Sequence, residues 1–184
     1  ILEKIGSRDH TEIMLKYLGA KISKNGEKIS LESPNFLKPR DIYIPGDFSS
    51  AAFLIVAGLI ISKSKITLKD VGLNYYRIGL IDVLKKMNAR INIKNKRKLN
   101  NEDIGDIEVF CSNLKGVNFT GKISPRMIDE YPIVFIAASF ASGTSVFRGL
   151  GELKVKESNR LKVMYETLKL LGVKIKMGDS QIEI

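Results

Sequence analysis

The chain has 184 residues, of which 44% are hydrophobic and 27% charged, and its formal net charge is +10 at pH 7. This composition is typical of a globular protein and excludes a disordered chain, while the longest apolar stretch, residues 51–61, falls well short of the roughly 20 residues of a membrane-spanning helix. The positive charge favours anionic partners, which are nucleic acid, anionic lipid or small phosphorylated ligands.

The first predicted helix opens in the segment Ser7–Glu12. Asp9 or Thr11 can cap it, whereas Arg8 places a cation at the positive end of the helix dipole. His10 is the only histidine, and without a Cys or His partner we interpret it as structural rather than as a metal ligand. The chain begins with Ile rather than Met, and we expect it to be a piece of a longer protein.

One segment occurs three times, at residues 15–22, 84–91 and 168–175. Each copy reads as the end of an amphipathic helix, closed by Gly or Asn at a position that favours a left-handed backbone, and then as an alternating strand. An apolar helix and a strand precede the later two copies, at residues 49–61 and 65–68 and again at 133–140 and 144–147.

These repeats predict an α/β (α+β) chain built from βαβαββ units. A helix that is apolar all round must be enclosed, so we expect sheets to wrap around the buried helices. No G-x-G-x-x-G motif follows a strand, which argues against a Rossmann domain. Pro45-Gly46 is a sharp breaker, so we predict a boundary near residues 43–46, with one part over residues 1–43 and another over 44–184.

The middle of the chain carries a polar run that contains Lys94, Lys96, Arg97 and Lys98. We interpret this run as a solvated, loop-like segment, and the absence of interleaved aromatic residues weakens a single-stranded nucleic-acid site. Cys111, the only cysteine, excludes an internal disulfide and fits a reducing compartment. We interpret it as a small hydrophobic residue in a strand, adjoining the predicted strand at residues 107–110, rather than as a catalytic thiol.

Asp129 lies just ahead of the second apolar helix, whose first turn carries Pro132. On the residues alone a helix cap is the favoured interpretation, and Asp47 occupies the same place before the earlier apolar helix. The alternative is a carboxylate beside an apolar helix, where burial raises the pKa towards the range of a general base.

The last amphipathic helix is predicted to begin near Lys156. Glu157 and Arg160 are then three residues apart on one face, and Lys156 and Arg160 are four apart. Two cations at the positive end of a helix are unfavourable unless an anion binds there. The alternative is a surface Glu–Arg pair worth less than about 1 kcal/mol, and the sequence leaves both interpretations open.

Four segments, at residues 7–12, 45–52, 128–132 and 152–160, resemble the EPSP synthase family in order and spacing. The resemblance implies two lobes of three βαβαββ units each, arranged as an inside-out barrel that is incomplete here. It also implies transfer of the enolpyruvyl group of phosphoenolpyruvate to the 5-hydroxyl of shikimate 3-phosphate. It implies no metal or organic cofactor, no nucleic-acid or membrane partner, a cytoplasmic location and a monomer when full length.

By the same resemblance, Asp129 matches the aspartate that accepts the hydroxyl proton. Lys156 matches a lysine that binds shikimate 3-phosphate, as Arg8 matches an arginine that does so in part of the family. Arg160 matches an arginine that holds phosphoenolpyruvate. Glu157 matches a carboxylate that helps to move protons on that side.

Some features depart from the family pattern. Glu152 stands where some members have Asn, although we expect it to line the same substrate site. The N-terminal Lys-Ser segment, the Ser-Gln substrate segment and the C-terminal Arg and Lys of the family are not found in these 184 residues. We therefore expect the piece alone not to turn over.

Three alternatives compete with this prediction. A UDP-N-acetylglucosamine enolpyruvyltransferase shares the fold and the donor, although residues 8–11 and 156–160 favour the shikimate enzyme. A nucleic-acid-binding module would explain the +10 charge and predicts strongly salt-dependent binding. A non-catalytic fragment would merely keep the fold.

Overall fold

A computed structural model describes residues 1–33 and 36–184. Its α-helices are α1 (His10–Tyr17), α2 (Phe48–Ile60), α3 (Gly79–Lys86), α4 (Tyr131–Ser139) and α5 (Arg160–Leu170). Its strands are β1 (Ile22–Asn25), β2 (Lys28–Leu31), β3 (Lys65–Gly72), β4 (Arg90–Leu99), β5 (Glu102–Phe110), β6 (Asn118–Phe119), β7 (Val146–Arg148), β8 (Lys176–Met177) and β9 (Gln181–Glu183). Short 3-10 turns cover Gly121–Arg126, Ile128–Glu130 and Gly151–Lys154.

The repeated helix ends are confirmed. Gly19, Asn88 and Gly172 have φ angles of +94°, +68° and +82°, which is the left-handed conformation that the sequence predicts. In each copy the next residue donates its N–H to a carbonyl five residues earlier, at 2.9, 2.9 and 3.0 Å. The same local chemistry therefore closes α1, α3 and α5 and turns the chain towards a strand.

The strands form three sheets. Strands β1 and β2 pair alone, β3, β5 and β4 form an antiparallel sheet in that order, and β6, β7, β9 and β8 form a mixed sheet in which β6 and β7 are parallel. The loop predicted at residues 94–98 is wrong, because these residues continue β4. The side chains of residues 94–98 are exposed as predicted. Lys94 pairs with Glu108 and Lys98 pairs with Asp103, each at 2.8 Å. Since polar residues face water on both sides here, no alternating pattern reveals the strand.

Helices α2 and α4 contact each other and form the centre of the core. Ile55 and Leu59 of α2 and Val134 and Phe135 of α4 are fully buried. Complete enclosure of the apolar helices is wrong for α2, because Phe53 is 60% exposed and its neighbour Leu54 is 55% exposed. In residues 1–33 and 36–184, the sheets cover only one side of this helix.

Residues 1–33 and 36–43 contribute little to the core. Ala20 is their single buried hydrophobic residue, and α1 has no buried residue at all.

No helix in the described ranges is both long and apolar enough to cross a membrane.

The predicted start of the last helix near Lys156 is wrong. Helix α5 begins at Arg160, because Asn159 is its cap and its side-chain oxygen accepts a hydrogen bond from the Lys162 N–H at 3.0 Å. Glu157 therefore does not complement the helix dipole from the first turn, and Lys156 lies in a bend that follows the 3-10 turn Gly151–Lys154.

Replacing Asn159 with Ala is expected to lower the free energy of unfolding by about 1 kcal/mol, since the Lys162 N–H loses its acceptor. Asn159→Asp keeps an acceptor oxygen at the same place and is the matched control. Urea unfolding of the 184-residue chain measures both. Equal midpoints for the two variants would contradict the capping role.

Candidate substrate site

Asp129 lies between two arginines that come from distant parts of the chain. An Arg8 guanidinium nitrogen donates to Asp129 Oδ2, although the two residues are 121 positions apart. The Arg160 Nη1 atom is 3.4 Å from Asp129 Oδ1. The openings of α1, α4 and α5 therefore meet at one carboxylate, whose side chain is 31% exposed.

The helix-cap interpretation of Asp129 is wrong. Asp129 is in the 3-10 turn Ile128–Glu130, and α4 has no side-chain hydrogen bond at its cap position. Pro132 is in the first turn of α4 as predicted, where its missing N–H costs nothing. Asp47, by contrast, does cap α2 and accepts a hydrogen bond from the Ser50 N–H at 2.7 Å.

The expectation that burial raises the pKa of Asp129 is also wrong. Burial acts to raise the pKa of this carboxyl, but the hydrogen bond from Arg8 and the charges of Arg8, Lys156 and Arg160 outweigh burial. The net result is a pKa below the ordinary value for Asp. Asp129 is therefore an ionised counter-ion of the cations around it.

The other predicted residues are connected to this carboxylate through Arg160 and Lys156. Arg160 Nη2 donates to Glu157 Oε2 at 2.7 Å, so Arg160 bridges Glu157 and Asp129. Lys156 Nζ is 3.2 Å from Glu152 Oε1 and acts electrostatically on Asp129. A backbone hydrogen bond within its own residue, the hydrogen bond from Arg160 and nearby cations lower the pKa of Glu157.

The chain matches the family model described as EPSP synthase (3-phosphoshikimate 1-carboxyvinyltransferase) over residues 3–184. It belongs to the EPSP synthase family. The 3-phosphoshikimate 1-carboxyvinyltransferase of Geobacillus kaustophilus is 46% identical over 184 residues, which are 100% of this chain and 43% of that protein. The one from Zymomonas mobilis is 47% identical over 179 residues, covering 95% of this chain and 40% of that protein. The chain thus spans about two fifths of the length of these relatives.

The fold agrees with this family. A solved structure of the EPSP synthase from Acinetobacter baumannii superposes on all of this chain with a TM-score of 0.95 and 40% identity, and the chain covers 41% of it. The enolpyruvyl transferase NikO from Streptomyces tendae gives a TM-score of 0.68 at 17% identity over 99% of this chain and 41% of its own, which is a likeness of fold alone. The predicted α/β fold of an incomplete EPSP synthase-like barrel is confirmed, and the structure shows three separate sheets that do not close.

Next to the candidate EPSP synthase site lies a polar network that the sequence did not reveal. Glu130 is only 3% exposed, and its Oε1 accepts a hydrogen bond from Ser49 Oγ at 2.5 Å. Arg77 Nη2 donates to the same Ser49 oxygen at 2.8 Å and to Asp47 at 3.0 Å. The sequence signal was only that Glu130 and Ser49 fall within two of the family motifs.

A second polar cluster lies at the start of α1. Asp9 does not cap the helix, because its carboxylate accepts a hydrogen bond from Asn74 at 2.7 Å, and Thr11 makes no cap either. His10 Nδ1 is 2.5 Å from Glu102 Oε1. A cavity of about 290 Å³, lined by His10, Phe48 and other residues, adjoins this cluster. Among the residues that the structure describes, no group of three or more His, Cys, Asp or Glu side chains could hold a metal ion.

Proposed function

We propose that this chain forms part of an enzyme that transfers the enolpyruvyl group of phosphoenolpyruvate to the 5-hydroxyl of shikimate 3-phosphate and releases phosphate. The observation that carries the proposal is the meeting of Arg8 and Arg160 at the Asp129 carboxylate. Family membership supports it, since the relatives are named for this activity. The reaction needs a base and cations that hold two anionic substrates, and this arrangement provides both.

We further propose that residues 1–43 end one lobe of the enzyme and residues 44–184 form most of the other. Ala20 as the single buried hydrophobic residue in the described part of 1–43 supports this division. Arg8 would then reach the second lobe through its contact with Asp129. The substrates would bind where the two lobes meet.

In the free protein the cations of the site are already paired with carboxylates. Arg8 and Arg160 contact Asp129, Arg160 also contacts Glu157, and Lys156 contacts Glu152. A phosphate or carboxylate ligand competes for these cations. A cation about 4 Å from an anion contributes roughly 4 kcal/mol at an effective dielectric near 20, so several cations together can hold two anions that repel each other.

Substrate binding changes Asp129 from a counter-ion into a base. When ligand anions take Arg8, Lys156 and Arg160, the causes of the low pKa of Asp129 are offset, while burial remains and raises the pKa. Asp129 then accepts the proton of the 5-hydroxyl as the hydroxyl oxygen attacks C2 of phosphoenolpyruvate, and C3 gains a proton with the assistance of Glu157. The tetrahedral intermediate then loses inorganic phosphate from C2 and a proton from C3, again with the assistance of Glu157, which regenerates the double bond.

The remaining residues divide between the two substrates. Arg160 binds phosphoenolpyruvate, and Glu157, held by Arg160, assists proton transfer on that side. Lys156 and Arg8 bind shikimate 3-phosphate, and Glu152 orients Lys156 through their contact at 3.2 Å. The addition and elimination require only acid–base chemistry, so the proposal includes no metal or organic cofactor.

The setting that we propose is a cytoplasmic enzyme that is monomeric when full length. A single cysteine, which fits a reducing compartment, supports the location. We propose no nucleic-acid partner, and the pairing of exposed Lys94 and Lys98 with carboxylates supports this, because it reduces the free positive charge on β4.

A graft tests the proposed function. The 184-residue chain replaces the aligned segment of the Geobacillus kaustophilus relative, of which it covers 43%, and phosphate release is measured with both substrates. We expect the graft to release phosphate only when both substrates are present, and the 184-residue chain alone to release none. A folded graft that binds both substrates and forms no product would contradict the proposed function.

A further inference from the structure

We propose that Glu130 is a positioning residue that holds the Asp129 carboxylate towards Arg8 and Arg160. The catalytic meaning of this inference rests on the proposed function, but the geometry does not. Glu130 follows Asp129 directly, is 3% exposed, and has its carboxylate fixed by Ser49 at 2.5 Å.

The backbone between the two carboxylates explains how one can orient the other. Ile128, Asp129 and Glu130 form a single 3-10 turn, in which consecutive side chains point about 120° apart. Ile128 is 6% exposed and lies in the core, while Glu130 points to Ser49. With two of the three directions anchored, the third directs Asp129 to the cations at the surface.

The anchor for Glu130 is itself rigid. Ser49 is in the first turn of α2, two residues after the cap residue Asp47. Arg77 donates to both Ser49 and Asp47, so the hydroxyl of Ser49 is held on one side while it donates to Glu130 on the other. This network joins the opening of α2 to the turn that precedes α4.

A buried carboxyl at position 130 lowers stability if its role is only structural, because desolvation disfavours its charged form. Burial raises the pKa of Glu130, while the Ser49 hydrogen bond and the charges of Arg77 and Arg8 act to lower it and the charge of Asp129 acts to raise it. An apolar residue would pack here at lower cost, but it could not accept the Ser49 hydrogen bond that orients the turn.

The test compares two variants of the 184-residue chain by ¹³C NMR titration of Asp129, which is assigned with Asp129→Asn. Glu130→Gln keeps an oxygen that accepts from Ser49, and Glu130→Ala does not. Loss of positioning is expected to raise the pKa of Asp129 in Glu130→Ala towards the ordinary value of about 3.9, whereas Glu130→Gln keeps it low. The pKa of Glu130 is raised and that of Asp129 is lowered, so Glu130 is already protonated where Asp129 titrates. Loss of the Glu130 charge alone would therefore leave the Asp129 pKa nearly unchanged in both variants, and a rise confined to Glu130→Ala indicates lost positioning.

Ser49→Ala removes the hydroxyl that donates to Glu130 and leaves the Glu130 carboxyl in place. This variant tests the positioning role if Glu130→Ala does not fold. It is expected to raise the pKa of Asp129 in the same way. In the graft, Glu130→Ala is expected to lower kcat by about 10²-fold, as a displacement of about 1 Å does, while Glu130→Gln stays within a few-fold of the parent.

An Asp129 titration that is unchanged or lowered in a folded Glu130→Ala chain, or in Ser49→Ala, would overturn the positioning role. This result is independent of the proposed function, because it needs no substrate. A graft that binds both substrates without turnover while the titration shifts as expected would instead reject the function and keep the positioning.

Discussion

Replacing Asp129 with Asn is expected to lower kcat of the graft by about 10²- to 10⁴-fold, the usual contribution of a general base. Asn has the same shape and keeps an oxygen towards Arg8, so the fold and the turn Ile128–Glu130 should be retained. The amide cannot accept the hydroxyl proton at neutral pH. The rate of phosphate release with both substrates saturating measures the effect.

The Michaelis constants separate this role from a binding role. Asp129 forms ion pairs with Arg8 and Arg160. Its carboxylate therefore competes with anionic substrates for these two arginines. Removing its charge should leave KM unchanged or lower it, and a fall in kcat without a rise in KM indicates an interaction lost in the transition state. An Asp129→Asn graft with kcat within fivefold of the parent would show that another group is the base.

The dependence of kcat on pH is the control for the assignment of Asp129 as the base. A base acts in its deprotonated form, so kcat of the parent graft falls as the pH drops through the pKa of Asp129 in the substrate complex. We expect that decline to be absent from the residual activity of Asp129→Asn.

Local chemistry explains which parts of the fold the sequence predicted. Gly19, Asn88 and Gly172 each end a helix in the left-handed conformation, and the hydrogen bond that closes the turn lies within six residues. Such a signal is contained in a short window and needs no knowledge of tertiary contacts. The cap of α2 by Asp47 was predictable for the same reason.

The site depended on contacts that no short window contains. Nothing near Asp129 in the sequence indicates that Arg8, 121 positions earlier, will be its partner and reverse the direction of its pKa shift. The start of α5 at Arg160 was missed because the residues from Lys156 fit a helical pattern, although the chain there bends after a 3-10 turn. The hydrogen bond between Ser49 and Glu130 joins the openings of two helices. It could not be predicted, because the two residues are 81 positions apart in the sequence.

Replacing Arg160 with Gln is expected to weaken phosphoenolpyruvate binding by up to about 10³-fold. This follows from the loss of about 4 kcal/mol for a cation roughly 4 Å from an anion at an effective dielectric near 20, with each 1.4 kcal/mol equal to a factor of ten. The dissociation constant for phosphoenolpyruvate, measured on the graft in the presence of shikimate 3-phosphate, checks it.

Lys162→Gln is the matched control, because it removes one positive charge from the same first turn of α5. Its side chain is 61% exposed and its nearest acid, Glu166, is 3.7 Å away, so screening by water should limit its effect to a few-fold. Equal effects of Arg160→Gln and Lys162→Gln on the dissociation constant would show that phosphoenolpyruvate binding depends only on the overall charge. A large effect confined to Arg160 would show that geometry matters.

Arg160→Lys distinguishes charge from shape at this position. The guanidinium of Arg160 reaches Asp129 at 3.4 Å and Glu157 at 2.7 Å with separate nitrogens, and an ammonium has no such planar fork. Lysine should therefore restore only part of the affinity that Gln removes. Full restoration would mean that Arg160 acts as a point charge, and the bridge between Asp129 and Glu157 would then have no part in holding phosphoenolpyruvate.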